Sequence, residues 1–304
     1  MSDLPCPGAT HEAYSTIADD GVCFERRSQS GHEVVSRGDV FASVFTDWKP
    51  GRESFVFFAP HDDDAAISLA LTIRQARRES IPVRVVVVTD GRNGYVTLRD
   101  RATIVERRAE ETLASYAILG VSERDITFLH FPDGGLHGYF GRRVAAAGDP
   151  TDEHGYTGLE NFFVRELRRR VDTAGASVAP TRVFVPSWAD WHQDHVAVAR
   201  EIPISLFHAI GGIWPECGAS IERAPYLYWH CVYCRLPDER EPTIRIVGGQ
   251  KAFEDKIRAV EAYNSQGQIA AIMNELRASP PVEYLLEESF SLYRPGVYDH
   301  CFRG

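Results

Sequence analysis

The stretch Ser54-Phe55-Val56-Phe57-Phe58-Ala59-Pro60-His61-Asp62-Asp63-Asp64 reads as a short apolar strand running into a charged turn. A continuous apolar run of this length marks a strand covered on both faces, as in a parallel sheet. Residues 65–79 carry apolar side chains at helical spacing, and 81–89 (IPVRVVVVT) form a second, β-branched strand. Working outward, the pattern predicts a helix over 98–119 closed by Gly120 as its C-cap. A strand over 126–130 follows, then the turn Phe131-Pro132-Asp133-Gly134-Gly135, a helix over 159–171, a strand over 182–186 and a helix from about 195 to 207. Such alternation predicts an α/β fold, Rossmann-like, with a mostly parallel sheet and helices on both faces. Runs near 226–234 and 242–248 are expected as a small C-terminal β extension, with 210–250 as a β subdomain and a helix over 251–263. Residues 1–50 are expected to be an N-terminal extension packed on a single main domain spanning 51–304.

Composition narrows the function classes. The 304 residues are 44% hydrophobic and 25% charged, an ordinary globular balance. A net charge of -10 argues against a phosphate-backbone partner, so nucleic acid is excluded first. No apolar run approaches the roughly 20 residues of a membrane helix. The polar, acidic N-terminus does not read as a signal peptide, and the six dispersed cysteines read as reduced thiols, so a cytoplasmic location is expected. Cys231-Val232-Tyr233-Cys234 is a single C-x-x-C, and without a second pair buried thiols are the expected reading. The glycine-rich segment 134–158 is a candidate lid.

Two clusters carry the chemistry, each directly after a predicted strand: Ala59-Pro60-His61-Asp62-Asp63-Asp64 and Pro186-Ser187-Trp188-Ala189-Asp190-Trp191-His192-Gln193-Asp194-His195. Ligands in open parallel sheets bind beyond the carboxyl ends of strands, where both clusters fall. One acidic turn is more often a helix cap than a site. Three successive aspartates repel one another unless a cation compensates, and a second ligand-rich cluster shifts the reading toward a metal. His61 with Asp64, and His192 with His195, share a helical face at i and i+3. Two imidazoles and a carboxylate with an open fourth position form a catalytic zinc arrangement, and a nearby carboxylate such as Asp63 can then accept a proton from water.

With these motifs the sequence resembles the PIG-L/LmbE-like zinc deacetylases, in which H-x-D-D follows the first strand and H-x-D-H comes later. The resemblance covers about 54–270 and includes Thr89-Asp90-Gly91, Arg107-x-x-Glu110, the turn at 131–134 and the late helix 256–266 ending in Ser265-Gln266. It implies an LmbE-like domain that binds Zn2+ through His61, Asp64 and His195. Asp63 would be the general base and His192 the group that stabilises the acyl oxygen or protonates the leaving amine. Asp194 would orient His192, while Arg107 and Asp133 would bind polar substrate. The usual proline and glutamate of the turn are Asp62 and Ala65 here. The resemblance thus implies a metal-dependent amide hydrolase acting on a small molecule, an N-acylated amino sugar or conjugate. An amidase on a larger conjugate and a catalytically silent zinc-containing binding protein remain the alternatives, and a homo-oligomer stays open. A dinucleotide-binding reading is weak, because H-D-D-D stands where G-x-G-x-x-G belongs and would repel phosphate.

Overall fold

The computed structural model describes residues 17–28, 33–173, 176–237, 240–291, 296 and 299–302. Its strands are β1 (Val22–Arg27), β2 (Val34–Gly38), β3 (Phe55–Ala59), β4 (Val83–Thr89), β5 (Ile126–Phe131), β6 (Arg143–Val144), β7 (Tyr156–Thr157), β8 (Val171–Thr173), β9 (Ala176–Val178), β10 (Arg182–Pro186), β11 (Tyr226–His230), β12 (Ile244–Gly248) and β13 (Val282–Ser289). The helices are α1 (Asp64–Arg78), α2 (Ile104–Ile118), α3 (Leu159–Arg168), α4 (Gln193–Ile210), α5 (Gln250–Glu261) and α6 (Ile269–Ala278).

Nine of these strands form one sheet, in the order β2-β1-β12-β13-β11-β10-β3-β4-β5. The half from β11 to β5 is parallel, as the strand–helix alternation predicts. The other half is antiparallel. The expected C-terminal β extension therefore continues the main sheet, with β11 in its parallel half and β12 and β13 in its antiparallel half. Of the expected N-terminal extension, β1 and β2 also join this sheet, through the pairing of β1 with β12. Residues 1–16 and 29–32 of that extension lie outside the described residues.

Every residue of β3 is buried, and the pleat divides them. Phe55, Phe57 and Ala59 pack in the core beneath α1 and α5, while Val56 and Phe58 pack beneath α3 and α4. Burial on both faces is why the strand lacks polar alternation. From β3 the chain steps outward to β4 and β5 on one side and later returns on the other at β10. The carboxyl ends of β3 and β10 flank this reversal, the place where such sheets bind ligands.

Helix α1 departs from helical geometry at Leu69 (φ -134°, ψ 18°). The buried Glu283 carboxylate accepts the backbone N–H groups of Leu71 (2.8 Å) and Thr72 (3.0 Å) there, and Lys256 Nζ donates to it at 2.9 Å. A side chain inserted into the helical ladder explains the kink.

Two expectations change. The helix expected over 98–119 begins at Ile104, because a 3-10 turn at Asp100–Ala102 precedes it. Asp100 Oδ2 accepts the Thr97 hydroxyl at 2.7 Å and its backbone N–H at 3.2 Å, holding the chain in a turn rather than a helix. The segment 134–158 holds a 3-10 turn at Leu136–Tyr139 and the hairpin pairing of β6 with β7, so it is partly structured.

Candidate active site

After β3, Pro60 ends the strand and the chain turns at once into α1, which puts His61 and Asp64 at the helix start. Asp64 Oδ2 accepts the His61 backbone N–H at 2.7 Å, closing the turn. After β10, the loop 187–192 leads into α4, where His192 is the N-cap and accepts the Asp194 N–H on Nδ1 at 3.3 Å. His195 therefore falls on the first turn of α4, facing the β3 turn.

His61 Nδ1, Asp64 Oδ2 and His195 Nε2 converge from these two turns. His61 Nδ1 lies 3.2 Å from Asp64 Oδ2 and 3.2 Å from His195 Nε2, and His195 Nε2 lies 3.0 Å from Asp64 Oδ2. All three residues are buried. Atoms bonded at ~2.0–2.1 Å to a tetrahedral ion stand roughly 3.3 Å apart, close to these edges. Two imidazole nitrogens facing each other can share only one proton, and Asp64 Oδ1 is buried with no hydrogen-bond partner among the described residues. The donor set fits a divalent metal. Two further groups place one ligand atom each within 4.8 Å of one another: His61 with His192 and His195, and His61 with Asp133 and Asp194.

The electrostatics also favour positive charge between these atoms. Burial opposes charging His61, but Asp64, Asp133 and Asp194 overcome it and hold its pKa well above the usual range. Burial likewise opposes charge on His195, yet Asp64 and Asp190 raise it to about 9. Burial alone would raise Asp64, but His195 and His61 hold it well below the ordinary carboxylate range.

Carboxylates stand behind both rings. His195 Nδ1 faces Asp190 Oδ2 at 3.1 Å, while His61 Nε2 faces Asp133 Oδ1 at 3.3 Å and Asp194 Oδ2 at 3.4 Å. Such partners fix ring orientation and raise ligand basicity.

Asp63 sits beside the triad and lines a cavity of about 380 Å³ together with His61, Arg108, Asp133, His192 and Tyr233. Burial first, then the neighbouring Asp62 and Asp64 charges, push its carboxyl up to about 6, against the pull of Arg108. Gln266 Nε2 donates to Asp63 Oδ2 at 2.6 Å. The His192 ring packs edge-on to His61 at 4.5 Å between centroids. Burial, then the like-charge effect of His61 and His195, lowers its pKa, which favours neutral imidazole.

The structure thus brings together His61, Asp63, Asp64, Asp133, His192 and His195. Asp194 is placed differently from expectation. Its carboxylate accepts the N–H groups of Gly134 (2.7 Å) and Leu136 (3.1 Å) and faces His61, so it braces the His61 side and the loop rather than the His192 ring.

Arg107 falls outside the site. Its guanidinium is half-exposed and reaches Asp100 at 3.3 Å. Arg108, rotated about 100° around the helix, is buried and grips the Asp62 carboxylate, with Nε 2.8 Å from Oδ2 and Nη2 on Oδ1. Three residues on, Glu111 accepts the Ser265 hydroxyl (2.7 Å) and N–H (2.8 Å), which sets Gln266 against Asp63. The working R-x-x-E is therefore Arg108 to Glu111, one residue later than expected. The partner of this arginine is Asp62, the residue that stands where the resemblance would place proline. Sequence reasoning gave no role to Asp190 or Tyr233, although both lie inside stretches that it quoted.

A family model described as PIG-L: GlcNAc-PI de-N-acetylase matches residues 56–203. Those residues belong to the PIG-L family. The PIG-L match contains His61, Asp63, Asp64 and His195 and both strand-end clusters, whereas Gln266 lies beyond it. Solved structures share the fold. A conserved protein of Thermus thermophilus superposes with TM-score 0.54 at 22% identity, covering 80% of this chain and 98% of its own. The N,N'-diacetylchitobiose deacetylase of Pyrococcus horikoshii does so with TM-score 0.54 at 18% identity, covering 82% and 86%. The 4-carboxy-2-hydroxymuconate hydratase of Pseudomonas putida KT2440 matches with TM-score 0.54 at 16% identity, covering 80% and 98%. A deacetylase and a hydratase on one fold mean that the reaction must be argued from the site. Among the described residues no helix is long and apolar enough to cross a membrane.

Proposed function

We propose that this chain is a zinc-dependent hydrolase that deacylates an amide nitrogen, removing N-acetyl from a sugar or sugar conjugate. The convergence of His61 Nδ1, Asp64 Oδ2 and His195 Nε2 within 3.0–3.2 Å, with Asp63 beside them on the cavity wall, carries this reading. The PIG-L model's description and the deacetylase among the fold relatives support the choice of bond and substrate class.

His61, Asp64 and His195 would hold the ion. When bound, it supplies a Lewis acid that activates water and polarises the acyl oxygen. Asp63 takes a proton from the attacking water as the new C–O bond forms. Its elevated pKa then suits return of that proton to the nitrogen as the C–N bond breaks, giving acetate and the free amine. His192, with Nδ1 occupied by the Asp194 N–H, presents Nε2–H as a neutral donor. It therefore fits charge stabilisation on the acyl oxygen better than protonation of the amine. Asp133 and Arg108, which Asp62 holds from behind, shape the polar wall that would receive sugar hydroxyls.

The test is acetate release from N-acetylglucosamine and its glycosides by zinc-loaded protein, wild type beside Asp63→Asn. The reading expects turnover in the wild type and a loss of at least about 10²-fold in the variant. Wild-type turnover that survives Asp63→Asn contradicts the mechanism. A wild type silent on acetamides but active in adding water to a double bond would favour hydratase chemistry instead.

A further inference from the structure

We propose that Tyr233 is a catalytic residue whose phenol O–H donates a hydrogen bond to the acyl oxygen of the bound substrate, alongside the His192 N–H. The proposal rests on the deacylase reading above.

Accounting for the polar donors around the cavity leads to this tyrosine. Arg108 is committed to the Asp62 carboxylate. Gln266 Nε2 donates to Asp63, and Asn93 Nδ2 donates to the Asp133 carbonyl at 2.6 Å. The Gln268 amide, on an exposed residue, and two tyrosine hydroxyls remain, each without a hydrogen-bond partner among the described residues. Tyr95 belongs to the partly exposed segment 92–99 and makes no ring contact with the site histidines. Tyr233 lies against the triad itself. Its ring stacks on His195 at 5.1 Å and 21°, and stands 6.1 Å from His192.

The backbone of Tyr233 is pinned from both sides. Its N–H points at Asp190 Oδ2 (3.5 Å), the oxygen that also faces His195 Nδ1, and its carbonyl accepts Trp191 Nε1–H at 3.1 Å. One carboxylate therefore lies against both the His195 ring and the backbone of the tyrosine stacked on it. A donor held this way needs little reorganisation when charge develops nearby, which makes such groups effective in catalysis.

A phenol of ordinary acidity keeps its proton near neutral pH, so the hydroxyl is available as a neutral donor. No bond to Tyr233 forms or breaks in the step. Its proton remains on the phenol oxygen while the hydrogen bond shortens toward the charged acyl oxygen. This arrangement gives the acyl oxygen two protein donors from two elements, His192 at the head of α4 and Tyr233 after β11.

The test compares full-length, zinc-loaded wild type with Tyr233→Phe, which keeps the stacked ring, and Tyr233→Leu, which removes it. Steady-state acetate release, zinc content and the affinity of acetate itself by calorimetry are read for each. The expected result for Tyr233→Phe is a fall in kcat of about 10²-fold with KM within about threefold. Zinc content should be unchanged, and acetate binding should be about tenfold weaker, the loss of one hydrogen bond. Wild-type kcat in Tyr233→Phe with a loss only in Tyr233→Leu would overturn the proposal, because the ring then acts by packing on His195. Loss of zinc in Tyr233→Phe would overturn it too. If the wild type releases no acetate from any acetamide, the deacylase reading fails. The acetate titration then decides the contact alone, and equal affinity in Tyr233→Phe rejects it.

Discussion

Asp190 Oδ2 stands 3.1 Å from His195 Nδ1, on the opposite side of the ring from Asp64, whose Oδ2 is 3.0 Å from Nε2. The imidazole thus lies between a carboxylate at the proposed metal position and one placed to take an Nδ1–H, which would leave Nε2 free to bind. Removing such an outer partner typically costs 10–100-fold in metal affinity. Asp190→Asn should weaken zinc binding by about that factor, measured by chelator competition, with little change in far-UV circular dichroism. Unchanged affinity would show that Asp190 does not orient the ligand.

Arg108 and Arg107 should separate cleanly. Arg108→Ala leaves the buried Asp62 carboxylate without its partner, at a cost of about 3–5 kcal/mol in urea unfolding. Arg107 makes an exposed contact with Asp100, so Arg107→Ala should cost no more than about 0.5 kcal/mol and leave acetate release unchanged. Comparable losses in the two variants would mean that α2 is rotated from the position described.

Activity should show an acidic limb governed by Asp63. The group must be ionised to accept a proton, and its pKa in the fold is raised to about 6. Below that pH kcat/KM falls roughly tenfold per unit, and above it the profile flattens. A bound cation can only lower this pKa, so the limb belongs at or below about 6. A limb above pH 7 would point to a different base.

The parallel half of the sheet and the meeting of His61, Asp64 and His195 were legible because their signals are local. The apolar runs in β3 and β4 and the spacing of His61 to Asp64 and of His192 to His195 are complete within a few residues. Other features depended on partners distant in sequence. In Arg107-Arg108-Ala109-Glu110-Glu111 two R-x-x-E registers overlap, so the motif alone does not choose. The buried stripe of α2, Ile104, Arg108, Thr112 and Tyr116, does choose, and its i, i+4 spacing was readable. The role of Asp194 depends on the loop at Gly134–Leu136, about 60 residues away, which takes up its carboxylate. That β1 and β2 join the sheet follows from the pairing of β1 with β12, more than 200 residues later, which neither short strand announces by itself.

The central claim is that His61, Asp64 and His195 hold one zinc ion, and elemental analysis of the purified chain beside His195→Ala tests it most directly. Near one zinc per chain in the wild type, lost in the variant while the fold persists, is the predicted result. A wild type that carries no zinc and takes up none when it is supplied would contradict the account.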